Sequence, residues 1–193
     1  TSEMTIKAKV HLSKGMIYFN SGEVDNAIAS FMVVINTFPK SEYFKEALVG
    51  LRAAYVSVAK VDEYLVIVNA LPQVSISKAE QDSLTYNTAF MKFAEGDYEV
   101  AKNTFQQYIS NFSKGIFVVD ANYYLAESCK KVSDTACAIL GFSQVVQENS
   151  KYLEPSFLYL ARHYFALEDL ENSNKFYQKL EEIATNNSVK REA

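Results

Sequence analysis

The chain has 193 residues, of which 49% are hydrophobic and 22% are charged, a composition typical of a folded globular protein. Six glycines and three prolines are too few for the many turns of an all-β protein, so long helices are expected. The net charge of −4 excludes the basic footprint of a nucleic-acid-binding protein, and no apolar run is long enough for direct membrane insertion.

The first unit, residues 8–41, contains two stretches whose apolar residues recur at helical spacing. Leu12, Met16 and Phe19 follow this spacing in the first stretch, and Ala27 and Phe31 follow it in the second. The two stretches predict a helical hairpin. The turn between them holds Gly22, which is the residue type that tolerates a positive φ.

Four further units follow at residues 43–76, 80–115, 117–150 and 153–187. Equivalent small residues at Ala89, Ala126 and Ala161 are 37 and 35 residues apart. The second unit should be the least regular, because Arg52 and Tyr64 stand where small residues are expected. The pattern predicts helix pairs near 8–36, 43–71, 80–111, 117–148 and 153–185, with no sheet.

Local signals refine this prediction at the turns and at one crossing in each hairpin. Gly96 should occupy a second hairpin turn, as Gly22 does in the first. Aspartates that precede a helix accept hydrogen bonds from its first N–H groups, and small residues allow two helices to approach closely. The expected caps are Asp97, Asp134 and Asp169, and the expected buried small residues are Ala27, Ala101 and Ala138.

This spacing resembles the tetratricopeptide repeat family, which repeats a small residue, an aromatic residue, Gly, Ala, a second aromatic residue and Pro. The resemblance implies an all-α, right-handed α-solenoid of about five hairpins, with residues 1–193 forming one array from a longer repeat protein. Junctions at 37–43 and 108–117 are similar to those of bacterial envelope members, and 61–64 and 80–86 to long Bacteroidetes members. The first unit matches the family pattern at Gly15, Tyr18, Gly22, Ala27, Phe31 and Pro39.

The resemblance also implies a function and a site. In this family the first helix of each hairpin lines a concave groove that binds a protein or peptide, which predicts a non-catalytic scaffold. Family members of the envelope group imply a periplasmic or outer-membrane-associated location, although a cytoplasmic one stays open. The candidate groove residues are Lys9, Met16, Phe19, Tyr86, Phe90, Phe93, Tyr123, Glu127, Lys130, Lys131, Arg162 and Phe165.

Two alternative functions remain open, an architectural spacer whose groove is filled internally and a cell-wall glycan binder. No nucleotide-binding, metalloprotease, nucleophile-elbow or calcium-loop motif occurs, so no catalytic residue, cofactor or metal site is expected. The two histidines, His11 and His163, are interpreted as structural. Cys129 and Cys137 lack the spacing of a zinc site, which leaves two small packing residues or a disulfide within one hairpin.

The apolar pattern of the last repeat unit predicts that the repeat array continues after it. Phe176, Tyr177, Leu180 and Ile183 place apolar side chains along its second helix, where a terminal repeat would carry a polar face. Residues 188–193 are similar to the start of another helix with Ser188 as its cap. A sixth unit would cover this apolar surface.

Overall fold

The computed structural model describes residues 2–184 and 187–192, and all regular secondary structure in those residues is helical. The predicted all-α fold and its five hairpins are confirmed. The helices are α1 (Ser2–Asn20), α2 (Val24–Thr37), α3 (Phe44–Ser57), α4 (Val61–Asn69), α5 (Lys78–Glu95), α6 (Tyr98–Asn111), α7 (Val118–Lys131), α8 (Thr135–Val145), α9 (Leu153–Ala166), α10 (Leu170–Ile183) and α11 (Asn187–Glu192).

In the described part of the chain, no helix combines the length and the apolar character needed to span a bilayer. Helix α1 begins at Ser2, which is earlier than the predicted start near residue 8. Residues 2–8 contain good helix formers, and Lys7 pairs with Glu3 one turn away at 2.6 Å. These local interactions extend the helix beyond its apolar pattern.

Contacts divide the chain into two compact units, with the division inside α5. From here on, the first unit is residues 1–84 and the second unit is residues 85–193, and each of the five repeats is called a hairpin. In the first unit α2 packs against both α1 and α3. The second hairpin is the least regular, as predicted, because α4 has only nine residues. Pro72 follows α4 closely, and a helix rarely continues into a proline.

One aromatic ring organises the core of the first unit. The side chain of Phe31 is 1% exposed and lies against Gly15 of α1 and Gly50 of α3. A Cβ atom at either glycine would stand only 2.5 Å from a ring carbon. The ring therefore fits because both facing helices lack a side chain at the point of contact.

The second unit packs α6 on α7, α7 on α8 and α9 on α10. Gly141 of α8 faces α7 so closely that an added Cβ would lie 2.9 Å from the Asn122 carbonyl oxygen. The predicted burial of small residues is confirmed, since Ala101 and Ala138, like Ala27 in the first unit, are fully buried. Small residues thus set the short distances between helices in both units.

The apolar residues of α10 are more covered than the sequence predicted. Leu180 is fully buried, and Phe176, Tyr177 and Ile183 are half-buried. Val189 of α11 packs against the same cluster. The predicted cap at Ser188 concerns a side chain outside the described part, and the sixth unit stays a prediction.

The five hairpin turns share one backbone geometry, but only two of them have the glycine that would predict it from the sequence. Gly22 and Gly96 have φ values of 80° and 83°, as predicted, but three non-glycine residues occupy the same position in the other turns. In each turn the N–H of the residue with positive φ donates to the carbonyl oxygen three residues earlier. The N–H of the residue that follows it donates to the carbonyl oxygen five residues earlier, as from Asp169 to Tyr164. The non-glycine residues are Ala59, Ser133 and Glu168, with φ values of 56°, 61° and 58°.

Aspartate caps follow three of these turns, which confirms the prediction for each of them. Asp97 Oδ1 accepts a hydrogen bond from the Val100 N–H at 3.4 Å, and Asp169 Oδ1 accepts one from the Asn172 N–H at 3.1 Å. Asp134 caps α8 in the same way. The caps fix where the second helix of the third, fourth and fifth hairpins begins.

We expect Glu168→Gly to raise the free energy of unfolding by about 0.5–1 kcal/mol. Glycine removes the Cβ penalty of the left-handed region, and this gain exceeds its larger backbone entropy in the unfolded chain. Gly96→Ala is the matched opposite change, because nothing lies within 4 Å of the added Cβ and only the backbone is strained. Urea unfolding followed by circular dichroism measures both; a destabilised Glu168→Gly variant would contradict the turn geometry.

Candidate functional site

The candidate groove residues fall in both units, and the first unit holds three of them on α1. Lys9 and Met16 are exposed, while Phe19 is half-buried against the core of that unit. Spacings of seven and ten residues place the three on one side of the helix. They form a small apolar surface with a lysine beside it.

In the second unit three candidates lie along α5, one helical turn apart. The ring centroids of Tyr86 and Phe90 are 6.2 Å apart, and those of Phe90 and Phe93 are 6.4 Å apart. Tyr86 is buried, whereas Phe90 is 37% exposed. Part of the Phe90 ring is therefore in contact with solvent, and the buried Tyr86 ring packs against it.

Two residues that the sequence did not single out continue this row of rings: Tyr124 on α7, and Phe117 just before α7 begins. The Tyr124 ring lies 4.9 Å from Phe90 and 5.0 Å from Phe93, and Phe117 stacks on Tyr86 at 4.4 Å. Tyr124 lies on the helix that carries the candidates Tyr123 and Glu127, but its ring packs against α5. Its contacts show that packing residues and candidate site residues form one cluster.

The candidate Tyr123 joins α7 to the start of α9. Its ring stacks on Tyr152 with centroids 4.1 Å apart, and the Tyr152 hydroxyl donates a 2.7 Å hydrogen bond to Asp120 Oδ1. Sequence reasoning missed Tyr152, because it stands in a junction, just before the helix begins. We call the following seven residues the aromatic strip: Tyr86, Phe90, Phe93, Phe117, Tyr123, Tyr124 and Tyr152.

Burial keeps two hydroxyls of the aromatic strip neutral. Burial, and then the charge of Asp120, raises the pKa of Tyr86 above its ordinary value. Burial, and then the hydrogen bond to Asp120, raises the pKa of Tyr152 as well. Both side chains are 8% exposed, so their hydroxyls stay neutral to a higher pH than the hydroxyl of an exposed tyrosine does.

Charged candidates flank the strip on α7. Lys130 Nζ contacts Glu127 at 2.7 Å and stands 5.5 Å and 5.3 Å from the ring centroids of Phe142 and Tyr159. Lys131 is exposed. The quadrupoles of the two rings attract the ammonium group, and this attraction restrains the Lys130 side chain.

The last two candidates are exposed on α9. Phe165 is 61% exposed, and Leu167 and Leu170 in the following turn are each 63% exposed. The sequence singled out Phe165 and Arg162 but missed the two leucines. Both leucines come after the end of α9, whereas the candidate positions were taken from the first helix of each hairpin. Three large apolar side chains are therefore exposed around the turn between α9 and α10.

The histidines take the structural roles that the sequence predicted. His163 is half-buried and stacks on Tyr159, with ring centroids 6.3 Å apart. His11 is half-buried and stacks on Phe38 at 6.5 Å. Packing against aromatic rings accounts for the position of both imidazoles.

Cys129 and Cys137 form a disulfide between the end of α7 and the first turn of α8. The sequence left this choice open, and the reading as two unlinked packing residues is wrong. Asp134 lies beside them, so that three ligand-type atoms stand within 4.8 Å of one another. Because the two sulfurs bond each other, they offer no thiolate for a metal ion.

Two stretches of the chain match a known sequence family. The sequence model of the tetratricopeptide repeat family matches residues 10–41 and 82–115. Among solved structures, one titled "Crystal structure of MamA" is 17% identical, with 87% of this chain and 92% of that chain covered and a TM-score of 0.46. A second, titled "Crystal structure of MamA protein", is 15% identical over 91% of each chain, with a TM-score of 0.46. No curated protein matches the sequence.

Proposed function

We propose that this chain, which carries tetratricopeptide repeats, is a non-catalytic scaffold that binds a protein or peptide along the first helices of its hairpins. Tetratricopeptide repeats are protein-interaction modules, and the five hairpins are taken as units of one array. The observation that carries the proposal is the aromatic strip, a row of rings crossing three consecutive hairpins that stays partly open at Phe90.

The surroundings of the strip favour a particular kind of partner. Half-exposed rings suit an apolar or aromatic anchor side chain, because aromatic pairs gain more than their buried area alone provides. Lys130 is already paired with Glu127, but Lys131 is an exposed cation on α7, the helix that carries Tyr123 and Tyr124 of the strip. Lys131 would favour acidic residues next to the anchor. The proposed ligand is therefore a peptide with an apolar anchor flanked by carboxylates.

A random 12-residue peptide library selected on the full chain tests this proposal. We expect the selected peptides to combine an aromatic or aliphatic anchor with Asp or Glu. Phe90→Ala should weaken their binding about tenfold, since it removes a centrally placed ring. Isothermal titration calorimetry measures the change.

Leu140→Ala is the matched control, because Leu140 is 68% exposed on α8, away from the strip. It should leave the affinity unchanged. Peptides that bind Phe90→Ala as tightly as the parent chain would contradict the site. Failure to select any peptide would favour the architectural spacer, and Phe90-dependent binding of cell-wall glycan fragments would favour the glycan binder.

The same proposal places the scaffold in a bacterial envelope, in the periplasm or at the outer membrane. The disulfide supports this location, since such bonds persist in oxidising compartments and are rare in the cytosol. Fractionation of the source cells with an antibody against the chain tests it. Recovery from the cytosolic fraction with both thiols free would contradict it.

A further inference from the structure

The two sulfurs of the disulfide are in different surroundings. Cys129 is fully buried within the core of the second unit, whereas Cys137 is partly exposed on the first turn of α8. The two Cα atoms are 5.8 Å apart. Only Cys137 can be reached by a reactant from outside.

A cavity of about 310 Å³ lies against Cys137, between α6, α7 and α8. This volume is at the lower end of the range that holds small ligands in proteins. Its walls combine apolar side chains with the amides of Gln106, Asn122 and Gln144. Gln106 Nε2 stands 4.0 Å from Cys137 Sγ and can donate to it. The cavity has mostly apolar walls, carries three amide groups and ends at a sulfur atom, which suits a small peptide that carries a thiol.

The charges around Cys137 are fixed by neighbouring helices. Asp134 Oδ1 accepts the Cys137 N–H at 3.2 Å, and Asp134 Oδ2 lies 3.4 Å from Lys102 Nζ. The Lys102–Asp134 contact links α6 to the start of α8, and Glu99 on α6 contacts the same ammonium group at 3.2 Å. With the bond between the sulfurs broken, these contacts would still tie the first turn of α8 to α6.

We propose that the Cys129–Cys137 disulfide is a thiol-exchange site at which a small peptide thiol becomes linked to Cys137. The incoming thiolate attacks Cys137 Sγ, a new S–S bond forms, and the Cys129–Cys137 bond breaks. Cys129 leaves as a thiolate and takes a proton from solvent. The attacking sulfur is oxidised as Cys129 is reduced, so no further oxidant is needed. A second thiol can then release Cys137 by forming the peptide's own disulfide.

The test treats the full chain with reduced glutathione at pH 8, quenches with an alkylating agent and locates each adduct by mass spectrometry. We expect glutathione on Cys137 and the alkyl group on Cys129. Glutathione on Cys129, or an equal distribution over both, would overturn the proposal. So would two free thiols in the untreated, air-oxidised protein.

A second measurement separates binding in the cavity from simple exposure of the sulfur. Gln144→Glu places a carboxylate on the exposed wall of the cavity, and glutathione is an anion. We expect its reaction to slow about fivefold at low ionic strength, while neutral 2-mercaptoethanol reacts at an unchanged rate.

Gln147→Glu adds the same charge beyond the end of α8 and outside the cavity, and it should leave both rates unchanged. Equal slowing of glutathione by the two variants would overturn the role of the cavity. A reaction that proceeds only as fast as global unfolding would overturn exchange in the folded chain. Circular dichroism checks that both variants fold.

Discussion

Phe31→Ala should lower the free energy of unfolding by about 3–5 kcal/mol, the usual range for removing a buried ring. Phe31 is 1% exposed, and both residues facing it are glycines. Gly15 and Gly50 have no side chains that could turn into the space left behind, so the cavity persists unless α1 and α3 move together. Urea unfolding followed by circular dichroism measures the loss.

Val49→Ala provides the control, because Val49 neighbours Gly50 on α3 but is 68% exposed. It should change the free energy of unfolding by no more than about 0.5 kcal/mol. A Phe31→Ala variant as stable as Val49→Ala would mean that the ring does not fill the space between the two glycines.

Raising the pH from 10 to 11 should destabilise the chain, with Tyr86 and Tyr152 together contributing roughly 2 kcal/mol of the loss. Tyr86 and Tyr152 have pKa values raised by burial in the folded state, while in the unfolded chain they titrate near pH 10. Above that pH the unfolded chain releases protons that the folded chain keeps. The free energy of unfolding therefore falls as the pH rises, by about 1 kcal/mol for each tyrosine over this interval.

Denaturant unfolding at pH 8, 10 and 11 measures this slope. Tyr86→Phe should reduce the loss by about 1 kcal/mol, because phenylalanine keeps the ring and has no proton to release. The comparison with Tyr86→Phe also separates the tyrosines from the lysines, which titrate in the same range. Equal slopes for the parent chain and Tyr86→Phe would contradict the burial of this hydroxyl in the aromatic strip.

The sequence predicted the hairpins well, because their signals are local and repeated. Ala27, Ala101 and Ala138 recur at one position of the helical pattern, and each is fully buried. Asp97 and Asp134 mark helix starts, because each side chain accepts a hydrogen bond from an N–H group only three residues further along the chain. Such features need no knowledge of distant neighbours.

Features that depend on distant neighbours were harder to predict. Tyr152 lies in a junction and gains its partner Asp120 only when two hairpins come together. Cys129 and Cys137 could have packed separately, and only the approach of α7 to α8 decides that they bond. The turn at Glu168 shows a third limit, since hydrogen bonds impose a positive φ on a residue that does not prefer it.

The aromatic strip also bears on how the second unit loses its structure. In a repeat array, each hairpin can open by itself if its interface with the next is weak. Here the rings of α5, α7 and the start of α9 contact one another in series, so opening one hairpin exposes the rings of its neighbours to water. Amide hydrogen exchange in α6 through α9 would then report a single opening free energy, and these helices would behave as one foldon.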